Sequence, residues 1–353
     1  MVTLAIMAVT LTGIQSRQTP AARCALAGSP VEAGWSKAIP TVPRAKAPLQ
    51  VVRDIPLPGS ASRFDYQSLE AASGRLFISH MGAGQLVVFD VRAQNVIGNL
   101  DGFPRVTGVL AVPTEHRAYA SATGDHAVVV VDDSTLKIMA RVAGPTFPDG
   151  IAYVPEARRV FVSDEAGGRD FVINAATDSV AARIELGGEA GNTQYDAGSQ
   201  CVMVAVQTAN QMAVIDPATA AIVRRITFDH AVRHPHGFYI DAPRRLAYVT
   251  GQESATLGVL DLRTLQLRQV LPIGDDPDVL AFDPSLKRLY VAAESGIVAV
   301  FEARQDSLVQ LGWYRATNAH SVAVDPASHK VYLPLANLDG RPVLRVLLPS
   351  DVH

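Results

Sequence analysis

The chain has 353 residues, a formal net charge of −3, 18% charged and 48% hydrophobic residues. That balance excludes the strongly basic footprint of a dedicated duplex-DNA binder and the low hydrophobicity of a disordered chain. It leaves a folded protein with a sizeable core, and small molecules, proteins or cations as its partners.

The chain opens on "MVTLAIMAVTLTGIQS", an apolar run of signal-peptide length, and "ALAG" at 25–28 supplies a small-residue cleavage pattern. No Lys or Arg precedes the run. Residues 1–27 therefore read as a signal peptide with an unusual start, which places the mature protein in the periplasm or outside the cell. If the segment is not a signal, the protein is cytoplasmic. Residues 28–48 read as a Pro/Ala-rich linker. No other stretch reaches the ~18 apolar residues needed to span a membrane. The two cysteines are Cys24 in the leader and Cys201 in a strand. No disulfide is expected between them, and two isolated cysteines give neither a thiolate metal cluster nor a haem motif.

From residue 49 onward the chain repeats itself. The runs "RLFIS", "RAYAS", "RVFVS", "CVMVAV", "RLAYVT", "RLYVAA" and "KVYLPL" begin at Arg75, Arg117, Arg159, Cys201, Arg245, Arg288 and Lys330. Each is β-branched and aromatic, of strand length. A second run follows each one, and several of these end in a tetrad: "DDST", "NAAT", "DPAT" and "DLRT". An Asp or Asn there bonds the backbone two residues on and starts a turn. A third run follows, and a short strand such as "GIAYV" or "SVAVD" precedes each repeat. The period is near 42 residues and there are seven units.

Four antiparallel strands cannot bury both faces alone, so radial stacking is the solution, and the fold is all-β, a seven-bladed β-propeller. The last unit ends after its third strand at about Leu348, and "LQVVRDIPL" at 49–57 supplies the missing fourth strand and closes the ring. The propeller thus spans 49–348, followed by a tail at 349–353. A closed ring hides its edges and is expected to be a monomer.

Units such as "RLAYVTGQESATLGVLDLRT" and "MAVIDPATAAIVRRI" resemble the YVTN repeat of exported bacterial proteins, the YncE-like group, over roughly residues 50–348. The resemblance implies the propeller fold and leaves function open. Such repeats occur in nucleic-acid and surface binders, and related folds in lactonases, lactonising enzymes and a metal-dependent lyase. This chain departs from plain repeats in its His- and acid-containing loops. With only Trp35 and Trp313 it lacks the tryptophan docking motifs of quinone-cofactor propellers, so no PQQ is expected, and no haem. "GGEAGN" at 187–192 lacks Walker spacing, so no nucleotide is expected either.

Aligning the units at the start of the innermost strand brings together Asp65, Thr107, Asp149, Thr193, His236, Asp278 and His320. Polar residues here can serve simply to solvate a channel. Three aspartates and two histidines are more than water requires, and crowded carboxylates need a cation or imidazolium between them. His236, Asp278, His320 and Asp65 fall on consecutive blades, a donor set suited to Zn²⁺ or another divalent transition metal. Loops after the second strands add His80, Glu165 and Glu294 at the same mouth. In this reading Asp149, Glu165 and His80 move protons, while Arg63, Arg105 and Glu294 contact a small, anionic substrate. No serine has a nucleophile elbow. The functional expectation is a metal-assisted lyase, hydrolase or lactonase; the rival is a non-catalytic propeller that holds a protein, an envelope component or single-stranded nucleic acid on its rim.

Overall fold

The computed structural model describes residues 24–34, 47–317 and 319–352. The apolar run at the start and most of the expected linker lie outside these residues. What is described is a ring of seven four-stranded antiparallel blades. Blade 1 contains Gln67–Glu70, Arg75–His80, Gln85–Asp90 and Asn95–Asp101, from the axis outward. Blade 2 starts at Val106–Val112, blade 3 at Pro148–Val154, blade 4 at Ala190–Asp196, blade 5 at Pro235–Asp241 and blade 6 at Pro277–Asp283. The innermost strands pack side by side around the axis, and Ala323–Asp325 of blade 7 returns to the first strand of blade 1.

Burial follows radius. The second strand of blade 5, Leu246–Gly251, is buried throughout, whereas the outermost strand of blade 1 is exposed at every second residue. Between blades the volume is filled by one residue of each second strand: Phe77, Tyr119, Phe161, Met203, Tyr248, Tyr290 and Tyr332, all with 0% exposure. Burying an aromatic ring there contributes roughly 2–3 kcal/mol per blade interface. The tetrads form the expected turns: Asp132 Oδ1 accepts from the amides of Ser134 (3.1 Å) and Thr135 (2.7 Å), and Asp261 Oδ1 from Arg263 (2.7 Å).

The ring closes as the repeat count requires. Leu49–Pro56 pairs antiparallel with Arg341–Pro349 and completes blade 7. Arg345, directly opposite Asp54 in that register, clamps it with two bonds of 2.8 and 2.7 Å.

One expectation is overturned. Cys24 and Cys201 are bonded to each other, with Cα atoms 4.9 Å apart. Residues 24–34, assigned by sequence to leader and linker, form a strap on blade 4. Ala25 N donates to Ser199 O (2.8 Å) and Gly28 N to Val223 O (3.1 Å). Val31–Ala33 then runs parallel to the outer strand Ala221–Phe228 as a fifth strand, and Gln266 of blade 5 reaches Glu32 O at 3.0 Å. Cys201 occupies the strand-start position that holds Arg75, Arg117, Arg159 and Arg288 in other blades, a position at the blade's margin rather than in its core. The strap's Cys24 and Leu26 bury it.

Because blade 4 has its four strands without the strap, reduction or Cys201→Ser should release residues 24–34 alone. Hydrogen exchange at Val31–Ala33 should rise by on the order of 100-fold, while Ala190–Asp196 stays protected.

Candidate functional site

The inner strands do not run straight. In blades 2 to 6 the pairing of first and second strands slips by one residue near the funnel mouth, as between Pro148 and Ile151 or between Pro235 and Phe238. Such a bulge re-aims the residue within it. Here that residue is Thr107, Asp149, His236 or Asp278, and it is followed in three blades by Gly108, Gly150 and Gly237. A Cβ on Gly108 or Gly237 would strike the carbonyl oxygen of the next blade's ring residue, Asp149 or Asp278. Glycine is required because adjacent backbones touch at this level.

The register corrects the alignment in blade 4. Ala190 pairs with Val206 as Pro148 pairs with Asp164, so Gly191 holds the ring position and Thr193 lies two residues below it. Thr193 is fully buried beside Asp170, a carboxyl that replaces the Leu86, Val128, Met212 and Leu257 of equivalent positions.

Eight of the expected residues, Arg63, Asp65, Thr107, Asp149, Glu165, His236, Asp278 and Glu294, line one cavity of about 260 Å³ at the axis. Its core is an ion-pair network across blades 5, 6, 7 and 1. Asp278 lies between two imidazoles, its Oδ1 at 3.0 Å from His236 Nε2 and its Oδ2 at 2.6 Å from His320 Nε2. Asp65 Oδ1 stands 3.6 Å from the same His320 nitrogen, and His320 Nδ1 is 3.3 Å from Glu294 Oε1. Arg63 Nη2 lies 2.9 Å from both His320 Nε2 and Glu294 Oε1. One ring nitrogen cannot donate to Asp278 and accept from Arg63 together. The shorter contact between opposite charges decides: Nε2–H donates to Asp278, and Arg63 belongs to Glu294.

The electrostatics follow from these distances. Burial alone would discharge His236, but the neighbouring Asp278 carboxylate outweighs it and holds the imidazolium up to about 9. His320 is likewise held well above its ordinary value by Asp278, against the same burial. Asp278, though fully buried, is held well below the usual carboxylate range by the two imidazolium charges. Asp149 goes the other way: burial, and then repulsion from Asp65, push it up to about 8. Burial also raises Glu165. Two lining atoms, His236 Nδ1 and Asp278 Oδ1, are buried with no hydrogen-bond partner; the 3.0 Å contact of Oδ1 with His236 is not in line with the ring N–H.

Two expected residues lie apart. His80 is the last residue of its strand, one before the funnel loop, and its neighbour Met81 lines the cavity instead. The His80 ring stacks on Phe64 at 3.9 Å and meets Ser62 Oγ at 3.1 Å, and burial lowers its pKa. Arg105 is not a lining residue; its guanidinium lies 5.6 Å over the ring of Phe147. Of the histidines in "HAVRHPHG", His236 alone reaches the ring; His234 pairs with Gln252 at the rim (3.1 Å) and His230 is exposed.

Tyr66 and Phe147 also line the cavity and were not singled out by sequence. Tyr66 follows a ring residue where three other blades have glycine, and that contrast was the available signal. Its hydroxyl donates to Asp149 Oδ2 at 3.4 Å. Tyr66 also borders a second cavity of about 300 Å³ lined by the inner strands.

No family model matches the chain, and no curated protein matches it. Among solved structures, hydrazine synthase of Kuenenia stuttgartiensis is similar with a TM-score of 0.70 at 16% identity, over 84% of this chain and 97% of that one. At that identity the likeness speaks for the fold. The fold and site together define a seven-bladed β-propeller with a buried, charged axial cavity.

Asp170 gives a test of the burial beneath this cavity. With no exposure, and with both carboxylate oxygens lacking hydrogen bonds, it is pushed by burial up to about 8, so the folded protein holds a proton that the unfolded chain releases near pH 4. The Asp170 contribution to stability should therefore fall as pH rises from about 4 to about 8, beside a fall of the same sign from Asp149. Asp170→Asn should remove only its own share, seen as a gain over the parent that grows with pH to at most about 5 kcal/mol at pH 8 in denaturant titrations.

Proposed function

We propose that the axial cavity is a metal-assisted catalytic site of the lyase, hydrolase or lactonase kind. The observation that carries this is the meeting of three blades at one point: ligand atoms of Asp65, Asp278 and His320 lie within 4.8 Å of one another, all on buried residues. Two carboxylates and an imidazole suit a divalent transition metal, and the partnerless Oδ1 of Asp278 fits a donor awaiting one. His236 Nε2 stands 3.0 Å from that same oxygen, so a metal held by Oδ1 would displace or share this contact. A bound metal would polarise a carbonyl or carboxylate oxygen. Asp149, which keeps its proton near neutrality, is the group suited to give one to a leaving oxygen, and Glu165 the one suited to take one. Arg63 stands at the mouth, tied to Glu294, where it closes the network rather than reaching inward.

We further propose export to the periplasm or beyond. The Cys24–Cys201 bond supports it, since disulfides persist in oxidising compartments, and so does the YVTN-like repeat text. Among the described residues no helix is long and apolar enough to cross a membrane. In this reading a signal must be cut before Cys24, not after Ala27, or the bond would be lost. A binding role on the rim is the second reading, favoured by Val51, Val52, Val309 and Trp313, exposed on the outer strands of blades 6 and 7.

Purified protein dialysed against Zn²⁺ and then buffer should retain about one equivalent by elemental analysis, and Asp278→Ala and His320→Ala should each weaken retention at least about tenfold. Parent and variants equally free of metal would remove the basis of the catalytic reading.

A further inference from the structure

The cavity is not evenly charged. Around blades 5, 6, 7 and 1, the carboxylates Asp65, Asp278 and Glu294 are matched by Arg63, His236 and His320 within 4.0 Å. The opposite wall, from blade 3, carries Asp149 and Glu165. Among the described residues these two have neutral hydrogen-bond partners: the Tyr66 hydroxyl for Asp149, and Gln207 Nε2 at 3.2 Å for Glu165. Asp149 is 4% exposed, so water does little to solvate it. Arg105, the cation of the adjoining loop, lies over Phe147 instead of against either carboxyl. Phe147 and Tyr66 complete this wall, and aromatic rings beside carboxylates are the surface that receives an organic cation. The wall across from it is unfinished too, with the buried His236 Nδ1 and Asp278 Oδ1 without hydrogen-bond partners.

We infer that the blade 3 wall is the binding site for a small organic amine, its ammonium group set between Asp149 and Glu165 and against Tyr66 and Phe147. This rests on the catalytic reading for the site and names its substrate class, but it replaces the proton-transfer roles of Asp149 and Glu165, which an ammonium between them would hold ionised, and it uses a different wall from the metal ligands. It also departs from the anionic substrate expected by sequence. Arg63, the arginine in the cavity wall, is already paired with Glu294. The cavity's volume of about 260 Å³ suits a compact molecule rather than a polymer.

The test uses metal-stripped full-length protein and three probes of matched length: n-pentylamine, n-pentanol and pentanoate. Calorimetry at neutral pH should show the amine binding at least about tenfold more tightly than the alcohol, with pentanoate weakest. Asp149→Asn and Glu165→Gln, confirmed folded by thermal melting, should each weaken the amine about tenfold and leave the alcohol unchanged. Phe147→Leu should weaken the amine by a smaller factor. Equal binding of amine and alcohol, a preference for pentanoate, or folded variants that bind the amine as well as the parent would each overturn the inference. Since metal is absent throughout, these outcomes are separate from success or failure of metal binding at Asp65, Asp278 and His320.

Discussion

The pairing of Leu49–Pro56 with Arg341–Pro349 is the constraint on which the rest of the molecule depends. The seam it makes lies beside blade 1 and blade 7, the two blades that contribute Arg63, Asp65 and His320 to the cavity. Without this pairing, blade 7 would lack its outer strand and expose the edge of Arg341–Pro349, and nothing would hold the last inner strand against the first. The contact of His320 with Asp65 at 3.6 Å is therefore a measure of ring closure as well as of site geometry. A site assembled from side chains 255 positions apart in sequence is kept in place by backbone hydrogen bonds at the opposite, outer end of the blade.

Much of this was legible because each repeat carries redundant signals. A β-branched run, an Asx turn at a fixed offset and a large ring two residues into the second strand recur together, so strand order and ring closure followed from counting. The ring residues of six blades followed as well, and in four of these a bulge of the same length presents the residue. The signal failed where one unit departs from the others. Between Phe228 and Pro235 the linker "DHAVRH" is longer than its counterparts, and spreading the extra residues on both sides moved blade 4's ring position from Gly191 to Thr193. His80 was displaced by a single residue, which in a strand sends the side chain to the other face. The cysteine bond was hidden for another reason: residues 24–34 have no repeat partner, so no periodicity could announce that they fold.

Charge compensation explains why the two halves of the cavity differ. Ions taken out of water need partners with good geometry, and the arc from blade 5 to blade 1 supplies them in alternation, acid against base. His236, Asp278, Glu294 and His320 are held in their charged forms by their neighbours, while His236 Nδ1 and Asp278 Oδ1 are left without a hydrogen-bond partner. Asp149 has no such neighbour within bonding distance and answers its burial by keeping a proton. Wall chemistry is thus divided between a preformed network and a group whose charge is left to be set by whatever enters.

The strap and the cavity look unrelated, but they share blade 4. Gly191 gives the ring no side chain there, and Glu165 and Gln207 close over the gap from the loops above. A blade with the least to hold it at the axis is the one that carries a fifth strand and a covalent tie at its outer edge. Blade 4 also departs from the others between blades, where Met203 stands in place of a tyrosine or phenylalanine. The strap ties the outer edge of that blade to blade 5 through Gln266, while the four strands beneath it pair without its help. The departures of one repeat, at its axis, between blades and at its rim, are thus gathered in a single blade.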